Sequence, residues 1–377
     1  MKIKLFLIQL LFYSTFIYSQ NKVKTVKING RLQYDYEFLS REKSNEKFNG
    51  FEFRRVHLSA KGKLSTKIKY KIETDFSHGK IGFRDVYIKF TTKKYGNFSI
   101  GSVAEPTGLD MMTSSKYSSF FERAMLASLQ KFRWGAGLHY ENFQLLNGRL
   151  GLQMAFTNNG NNLEGFKDEH LEKGNNFVAR VSSAPLFNKD KKHLIHLGFN
   201  YANRPANDLK FRPENHMGEK YHYVFPLATK QNEYGFEFAG EYKNISLQTE
   251  YKLRETDNTN NLNYSISGYY ISGSYFITGE NRPYKHGAFG RVKPKKDIEN
   301  GGLGAFEILF RFSNMTASGG LLNVNSTLPR QINNITFGLN WYLTSHARIM
   351  YNYVITNDNN NILGNLNGHL IRAQIDF

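Results

Sequence analysis

The stretch Leu366-Asn367-Gly368-His369-Leu370-Ile371-Arg372-Ala373-Gln374-Ile375-Asp376-Phe377 closes the chain and decides its fold. Ile371, Ala373, Ile375 and Phe377 alternate with Arg372, Gln374 and Asp376. A period of two places the apolar residues on one face of a strand and the polar ones on the other. The apolar face continues to the last residue, which is aromatic. In water such an end frays. In an outer-membrane β-barrel the same pattern is a closing strand with its aromatic at the membrane interface.

The other end predicts the same compartment. Lys2 and Lys4 precede an apolar run from Leu5 to Ile17, followed by Tyr18-Ser19-Gln20. This order reads as a secretory signal peptide, with cleavage expected after Ser19. The run is too short to cross a bilayer comfortably as a helix. The expected organisation is a leader over 1–19 and one barrel domain over 20–377.

Composition fits a barrel better than a soluble core. Mean hydropathy is −0.52, yet the chain of 377 residues carries 31 Phe and 23 Tyr. A barrel in lipid spreads apolar residues over alternate strand positions and gathers aromatics into interfacial girdles, so its average hydropathy stays low. With no cysteine there is neither a disulfide nor a lipid-modified N-terminal Cys.

Residues 66–76 repeat the alternation most plainly. Lys67, Lys69, Lys71, Glu73 and Asp75 interleave with Ile68, Tyr70, Ile72, Thr74 and Phe76. A lysine facing lipid at mid-bilayer costs roughly 2–4 kcal/mol, so the lysines are expected in the lumen. Similar stripes run through Phe132, Trp134, Ala136, Leu138 and Tyr140, and through Phe306, Ile308, Phe310 and Phe312. Strands are expected near 24–38, 50–63, 66–77, 83–92, 96–103, 131–141, 147–157, 175–184, 193–203, 232–243, 245–255, 263–278, 302–314, 330–343, 346–357 and 365–377. The fold class is therefore all-β, a transmembrane antiparallel barrel of about sixteen strands, an even number. The 263–278 strand is ambiguous, because both its faces are apolar.

A barrel of this width has an open lumen unless chain folds into it. Three connections, 104–130, 204–231 and 279–301, are too long for plain turns. By strand count the first two are outside and the third is periplasmic. The 104–130 segment combines apolar anchors (Met111, Met112, Tyr117, Phe120, Phe121) with Lys116 and Arg123 and is expected to fold inward as a constriction loop. The alternative for each of the three is a disordered loop, and that alternative weighs more for 204–231 than for 104–130. A local break in parity separates Phe51 and Phe53 from Val56, Leu58 and Ala60. An extra residue at Arg54-Arg55 would make a β-bulge and turn both arginines toward the lumen.

Lys plus Arg number 50 and Asp plus Glu 32, a net +18, or +16 once Lys2 and Lys4 leave with the leader. Basic residues recur on the expected lumen face, among them Arg31, Arg55, Lys67, Lys69, Lys71, Arg84, Arg133, Arg311 and Arg372. Such a lining attracts anions. Balancing acids include Glu73, Asp75, Glu237, Glu241 and Glu250. No nucleic-acid module is visible, and no metal-ligand spacing, phosphate-binding Gly loop or Ser-His-Asp order implies a cofactor or an enzyme. His57 and Ser59 share a face without an evident third partner.

Several stretches together resemble the phosphate-selective porin O and P family. They are Phe53-Arg54-Arg55-Val56-His57-Leu58 with Lys61-Gly62-Lys63; Asp85-Val86-Tyr87-Ile88; Glu105-Pro106-Thr107-Gly108-Leu109 with Thr113-Ser114-Ser115-Lys116-Tyr117 and Phe121-Glu122-Arg123-Ala124; Phe276-Ile277-Thr278-Gly279-Glu280-Asn281-Arg282; Gly304-Ala305-Phe306-Glu307 with Arg311-Phe312-Ser313; and Gly338-Leu339-Asn340-Trp341-Tyr342-Leu343. They occur in family order over most of the mature chain. The resemblance implies a sixteen-stranded, typically trimeric, outer-membrane anion channel for phosphate or related oxyanions. It places substrate contacts on Lys116 and Ser119 in the inward loop and on Arg54 and Arg55 in the strand. It also implies inward segments at 204–231 and 279–301. Arginine grips a tetrahedral oxyanion with two N–H groups, lysine supplies a compact charge, and a serine adds a neutral donor. The alternative is a general porin with weak anion preference and no dedicated phosphate site.

Overall fold

A computed structural model describes residues 24–377 except 45, 78, 80, 93, 130–133, 159–173, 260–262, 320–328 and 360–363. The expected leader lies outside the described residues. Sixteen antiparallel strands close into one barrel. They are β1 (Thr25–Arg41), β2 (Lys47–Lys63), β3 (Ile68–Asp75), β4 (Gly82–Thr91), β5 (Asn97–Ala104), β6 (Trp134–Gln144), β7 (Leu150–Asn158), β8 (Asn175–Asn188), β9 (His193–Pro205), β12 (Ala228–Tyr242), β13 (Ile245–Asn258), β14 (Tyr264–Phe276), β17 (Ala305–Gly319), β18 (Gln331–Tyr342), β19 (Ala347–Asp358) and β20 (Leu366–Asp376). Two small hairpins stand apart from the wall. One pairs β10 (Leu209–Phe211) with β11 (Tyr221–Tyr223), the other β15 (Tyr284–Lys285) with β16 (Ala288–Phe289).

Each expected strand corresponds to one wall strand. The period-two pattern survives because the two faces meet different media: Ile371, Ile375 and Phe377 are exposed toward lipid, whereas Arg372, Gln374 and Asp376 are buried inside. The seam joins β1 to β20, with Arg31 opposite Asp376. Gly30 and Phe377 exchange backbone hydrogen bonds across it, at 3.0 and 3.2 Å. The bare Cα of Gly30 makes room for the terminal ring, since a Cβ there would lie 2.2 Å from the Phe377 Cζ.

The parity break in β2 is a bulge. Phe53 faces Tyr34 and Arg55 faces Gln33, which leaves Arg54 as the extra residue. A second break corrects the expected stripe at Trp134. Gly101 has φ +125°, and a Cβ there would lie 2.2 Å from the Val86 carbonyl oxygen. Only glycine fits that backbone. Beyond it Ser102 is buried, and Trp134, three residues before Gly137, the partner of Gly101, turns its indole into the lumen.

Three inserts fill much of the lumen. The 105–129 loop carries one helical turn, Leu109–Met112, and a 3-10 turn, Met125–Leu129. The β10–β11 hairpin descends from the outer end, and 277–304 enters from the periplasmic end. The outer hairpin makes 204–231 an inward segment, as the resemblance implies, rather than the disordered loop that was the alternative. Leu209, Phe211, Tyr221, Tyr223 and Phe225 pack with Leu126 and Leu129 against Tyr264, Ile266, Tyr270, Met315 and Ile332 of the wall. This also accounts for the doubly apolar β14: one face meets lipid, the other meets the inserts. Phe289 of the periplasmic insert packs with Leu109 on Ala184, Leu194 and Ala239.

Candidate functional site: a cationic lumen cavity

The inserts leave a cavity of about 720 Å³, and every wall residue that lines it lies on β1–β7. The remaining lining comes from the 105–129 loop and the outer hairpin. Twelve Lys and Arg side chains face five Asp and Glu, a surplus of seven positive charges. The basic lining of this open space thus lies on the β1–β7 side of the barrel.

The bulge brings Arg54 and Arg55 to one carboxylate. Arg54 Nε and Nη2 donate to Glu122 Oε1 and Oε2 at 2.8 and 3.1 Å. Arg55 Nη2 lies 3.7 Å from Glu122 Oε2 and its Nη1 donates to Gln33 Oε1 at 2.8 Å. Arg372 reaches Glu122 at 3.2 Å while gripping Asp35 with Nε at 2.7 and Nη2 at 2.6 Å. It also donates to the Phe121 carbonyl at 2.6 Å and lies 4.1 Å from that ring centroid. Burial alone would raise the Glu122 carboxyl. Arg54, Arg55 and Arg372 overrule it and hold the group well below the usual carboxylate range.

Lys116 reaches the cavity from the other side of the loop. Its Nζ lies 3.4 Å from the Gly30 carbonyl and 3.7 Å from Asp376 Oδ2. Burial and the neighbouring Arg31 lower its pKa, against the pull of Asp376. Arg31 donates to Ser115 Oγ and touches His57 Nδ1 at 2.5 Å. His57 in turn sits 3.0 Å from both Glu73 and Asp75, carboxylates that the sequence did not pair with it. The Ser59 hydroxyl points instead to the Asn29 carbonyl, at 3.4 Å.

Of the expected site residues, Arg31, Arg54, Arg55, Lys71 and Lys116 line the cavity. Lys71 is held by Glu73 at 2.5 and Asp85 at 2.7 Å. Four others do not line it. Ser119 is turned to the far wall, where its hydroxyl donates to Glu307 Oε1 at 3.1 Å and its carbonyl accepts from Asn340 at 2.8 Å. Arg311 is buried behind the loop against Glu214, at 3.1 and 2.6 Å, and over the Phe120 ring. Lys67 lies exposed in the turn between β2 and β3, and Lys69 stands beside Lys63 and Lys89 at the periplasmic end of the wall. Their strand alternation was sound, but turn geometry and the inserts place them away from the cavity. Arg133 lies outside the described residues.

Several lining residues were missed. Glu122 is the carboxylate that organises the arginines. Lys210, Arg212 and Lys220 enter on the outer hairpin, whose alternating Leu209-x-Phe211 and Tyr221-x-Tyr223 was the available signal. Eight of the twelve basic lining residues pair with a carboxylate, whereas among the described residues Lys61, Lys210, Arg212 and Lys220 make no ion pair, so they are the least compensated charges of the lining.

A family described as "Phosphate-selective porin O and P" matches residues 26–377. The chain is 27% identical over 404 residues to Porin O of Pseudomonas aeruginosa, covering 95% of this chain and 89% of that one. Among solved structures it resembles an anion-selective porin from Comamonas acidovorans, with TM-score 0.60, 12% identity, and 94% and 100% of the two chains covered. It also resembles the trimer form of in-vitro-folded OmpT, an outer membrane protein of Vibrio cholerae, with TM-score 0.58, 15% identity and the same coverages. At these identities the structural likeness speaks for the fold.

Proposed function

Because the chain belongs to the phosphate-selective porin O and P family, and is thus an outer-membrane β-barrel porin, we propose that it admits small anions, phosphate among them, by passive diffusion through the β1–β7 side of its lumen. The observation that carries this is the surplus of seven positive charges around the cavity. Basic linings concentrate anions and exclude cations. Conduction also needs release. Pairing of Arg54 and Arg55 with Glu122 keeps those sites from holding an anion too tightly, while Lys61, Lys210, Arg212 and Lys220 remain available along the way. Export through a leader cleaved after Ser19 and assembly as a homotrimer complete the proposal; the family and the trimeric OmpT fold support the latter.

The second reading is a general porin with weak anion preference and no dedicated phosphate site. It is favoured by the same pairing, because the most prominent lumen arginines are already compensated. Reversal potentials across planar bilayers in a potassium chloride gradient test the first step, and inhibition of chloride current by phosphate tests the second. Equal or greater cation permeability would overturn both readings. Anion selectivity without phosphate inhibition would leave the general porin.

A further inference from the structure

The cavity is amphipathic, and its apolar side is not explained by passage of a bare inorganic ion. Tyr87 on β4, Val103 and Ala104 on β5, and Trp134 on β6 bring apolar surface among Arg84, Asp85, Lys89 and Glu141, and Met111 and Met112 of the loop line the same space. The cationic lining of β2 and β3 lies next to it. Each aromatic carries a cation: the Arg84 guanidinium sits 4.6 Å from the Trp134 ring centroid, and Lys89 Nζ sits 5.2 Å from that of Tyr87. The indole is fixed by its N–H, which donates to Asp85 Oδ1 at 2.9 Å. Arg84 is anchored by Asp75 at 2.5 Å, and its side chain keeps 27% of its exposure. An anion head and a flat body could therefore be recognised side by side.

We propose, building on the anion-channel reading, that the cavity takes organic phosphate esters, an oxyanion carried on a flat apolar body, in preference to phosphate without such a body. Inorganic phosphate is hydrated on every side and gains nothing from Trp134, Tyr87 or the methionines. A planar ester can leave its head toward the cations of the lining that make no ion pair, Lys61, Lys210, Arg212 and Lys220, while its body lies against Tyr87, Trp134 and the methionines, removing apolar surface from water. The volume agrees, since about 300–1,000 Å³ is the range that holds organic ligands of moderate size, and 720 Å³ lies within it.

The test compares phenyl phosphate with methyl phosphate, two esters of equal charge at pH near 8, as inhibitors of chloride current through the full-length protein in planar bilayers. Aromatic contact adds about 0.5–1.5 kcal/mol, so half-inhibition by phenyl phosphate is expected at about a two- to tenfold lower concentration. Trp134→Ala should bring the ratio to one, and Trp134→Phe, which keeps a ring under Arg84, should restore most of it. A purely structural role for the indole would change both inhibitors together and would overturn the proposal. An anion-selective wild-type pore with a ratio of one overturns this inference alone. A pore without anion selectivity overturns the channel reading beneath it as well.

Discussion

Replacing Glu122 with glutamine should strengthen anion binding, although Glu122 lies among the arginines that the family resemblance marks for it. In the wild type, Arg54, Arg55 and Arg372 share two carboxylates, Glu122 and Asp35, a local charge of +1. Glutamine keeps the shape and leaves Asp35 bound to Arg372, so the local charge rises to +2. A unit charge about 4 Å away is worth ~1 kcal/mol in water and ~4 kcal/mol at an effective dielectric constant of 20. Glu122 lines the open cavity and retains 12% of its side-chain exposure, so the lower figure applies. About 1 kcal/mol is about a fivefold gain in occupancy. The phosphate concentration that halves the chloride current at 0.1 M salt should therefore fall by about fivefold. The loop should stay in place, because Phe121 N donates to Asn352 at 2.8 Å, Arg348 holds the Ser118 carbonyl at 2.8 Å and Arg372 still holds the Phe121 carbonyl. Heat-modifiable gel mobility reports barrel folding. The pH behaviour separates charge from shape. The depressed carboxyl of Glu122 stays ionised above the ordinary carboxylate pKa and loses its charge only as pH falls through its lowered value. The difference in reversal potential between wild type and Glu122→Gln should thus stay constant from about pH 5 to 8, because Glu122 does not titrate there. A folded Glu122→Gln pore with unchanged or weaker phosphate inhibition would refute the reasoning and make Glu122 a structural clamp alone.

Lys116→Glu should lower or reverse anion selectivity with the barrel still folded. It places a carboxylate beside Asp376, 3.7 Å from the present ammonium, and an unchanged reversal potential would place the selective charge elsewhere. Since burial and Arg31 lower the Lys116 pKa, wild-type anion preference should weaken at a lower alkaline pH than an ordinary lysine would give, and Lys116→Arg should remove that weakening in a reversal-potential titration. Glu214→Gln strips the carboxylate from Arg311, Ser313 and Thr336; breaking a buried pair costs about 3–5 kcal/mol, so the outer hairpin should become protease-sensitive and single-channel conductance should rise. Raising potassium chloride from 0.1 to 1 M shortens the Debye length from about 10 to 3 Å, and should reduce selectivity in reversal-potential measurements.

The wall was legible because lipid and lumen impose opposite chemistry on neighbouring residues. Lys71 and Ile72 cannot exchange faces, and the shift from Phe53 to Val56 exposed the bulge at Arg54. The interior was harder to read, since its contacts join residues far apart in the chain. Glu122 meets Arg54 and Arg372, and Ser119 meets Glu307; no local period records such pairs. Ser119 and Arg311 therefore read as pore residues although the inserts cover them. The double apolar face of 263–278 was the imprint of those inserts, visible in the sequence but not assignable until Tyr264, Ile266 and Tyr270 were seen against Leu126 and Phe225. Trp134 followed the expected stripe until the backbone at Gly101 reset the parity.

The Gly30–Phe377 seam has a consequence for biogenesis. Before β20 is paired, β1 presents an unpaired row of N–H and C=O groups, and an open edge of that kind recruits any strand it meets. Among the described strands, the partner that satisfies β1 is the last to be synthesised. A sheet in which β1 and β20 have not yet met therefore carries a reactive edge on each side, and the one pairing silences both. Gly30 and Phe377 lie at the periplasmic end of that seam, where a side chain at position 30 would meet the terminal ring, so a bulky residue there should act on the rate at which finished barrels accumulate more than on what a finished barrel conducts.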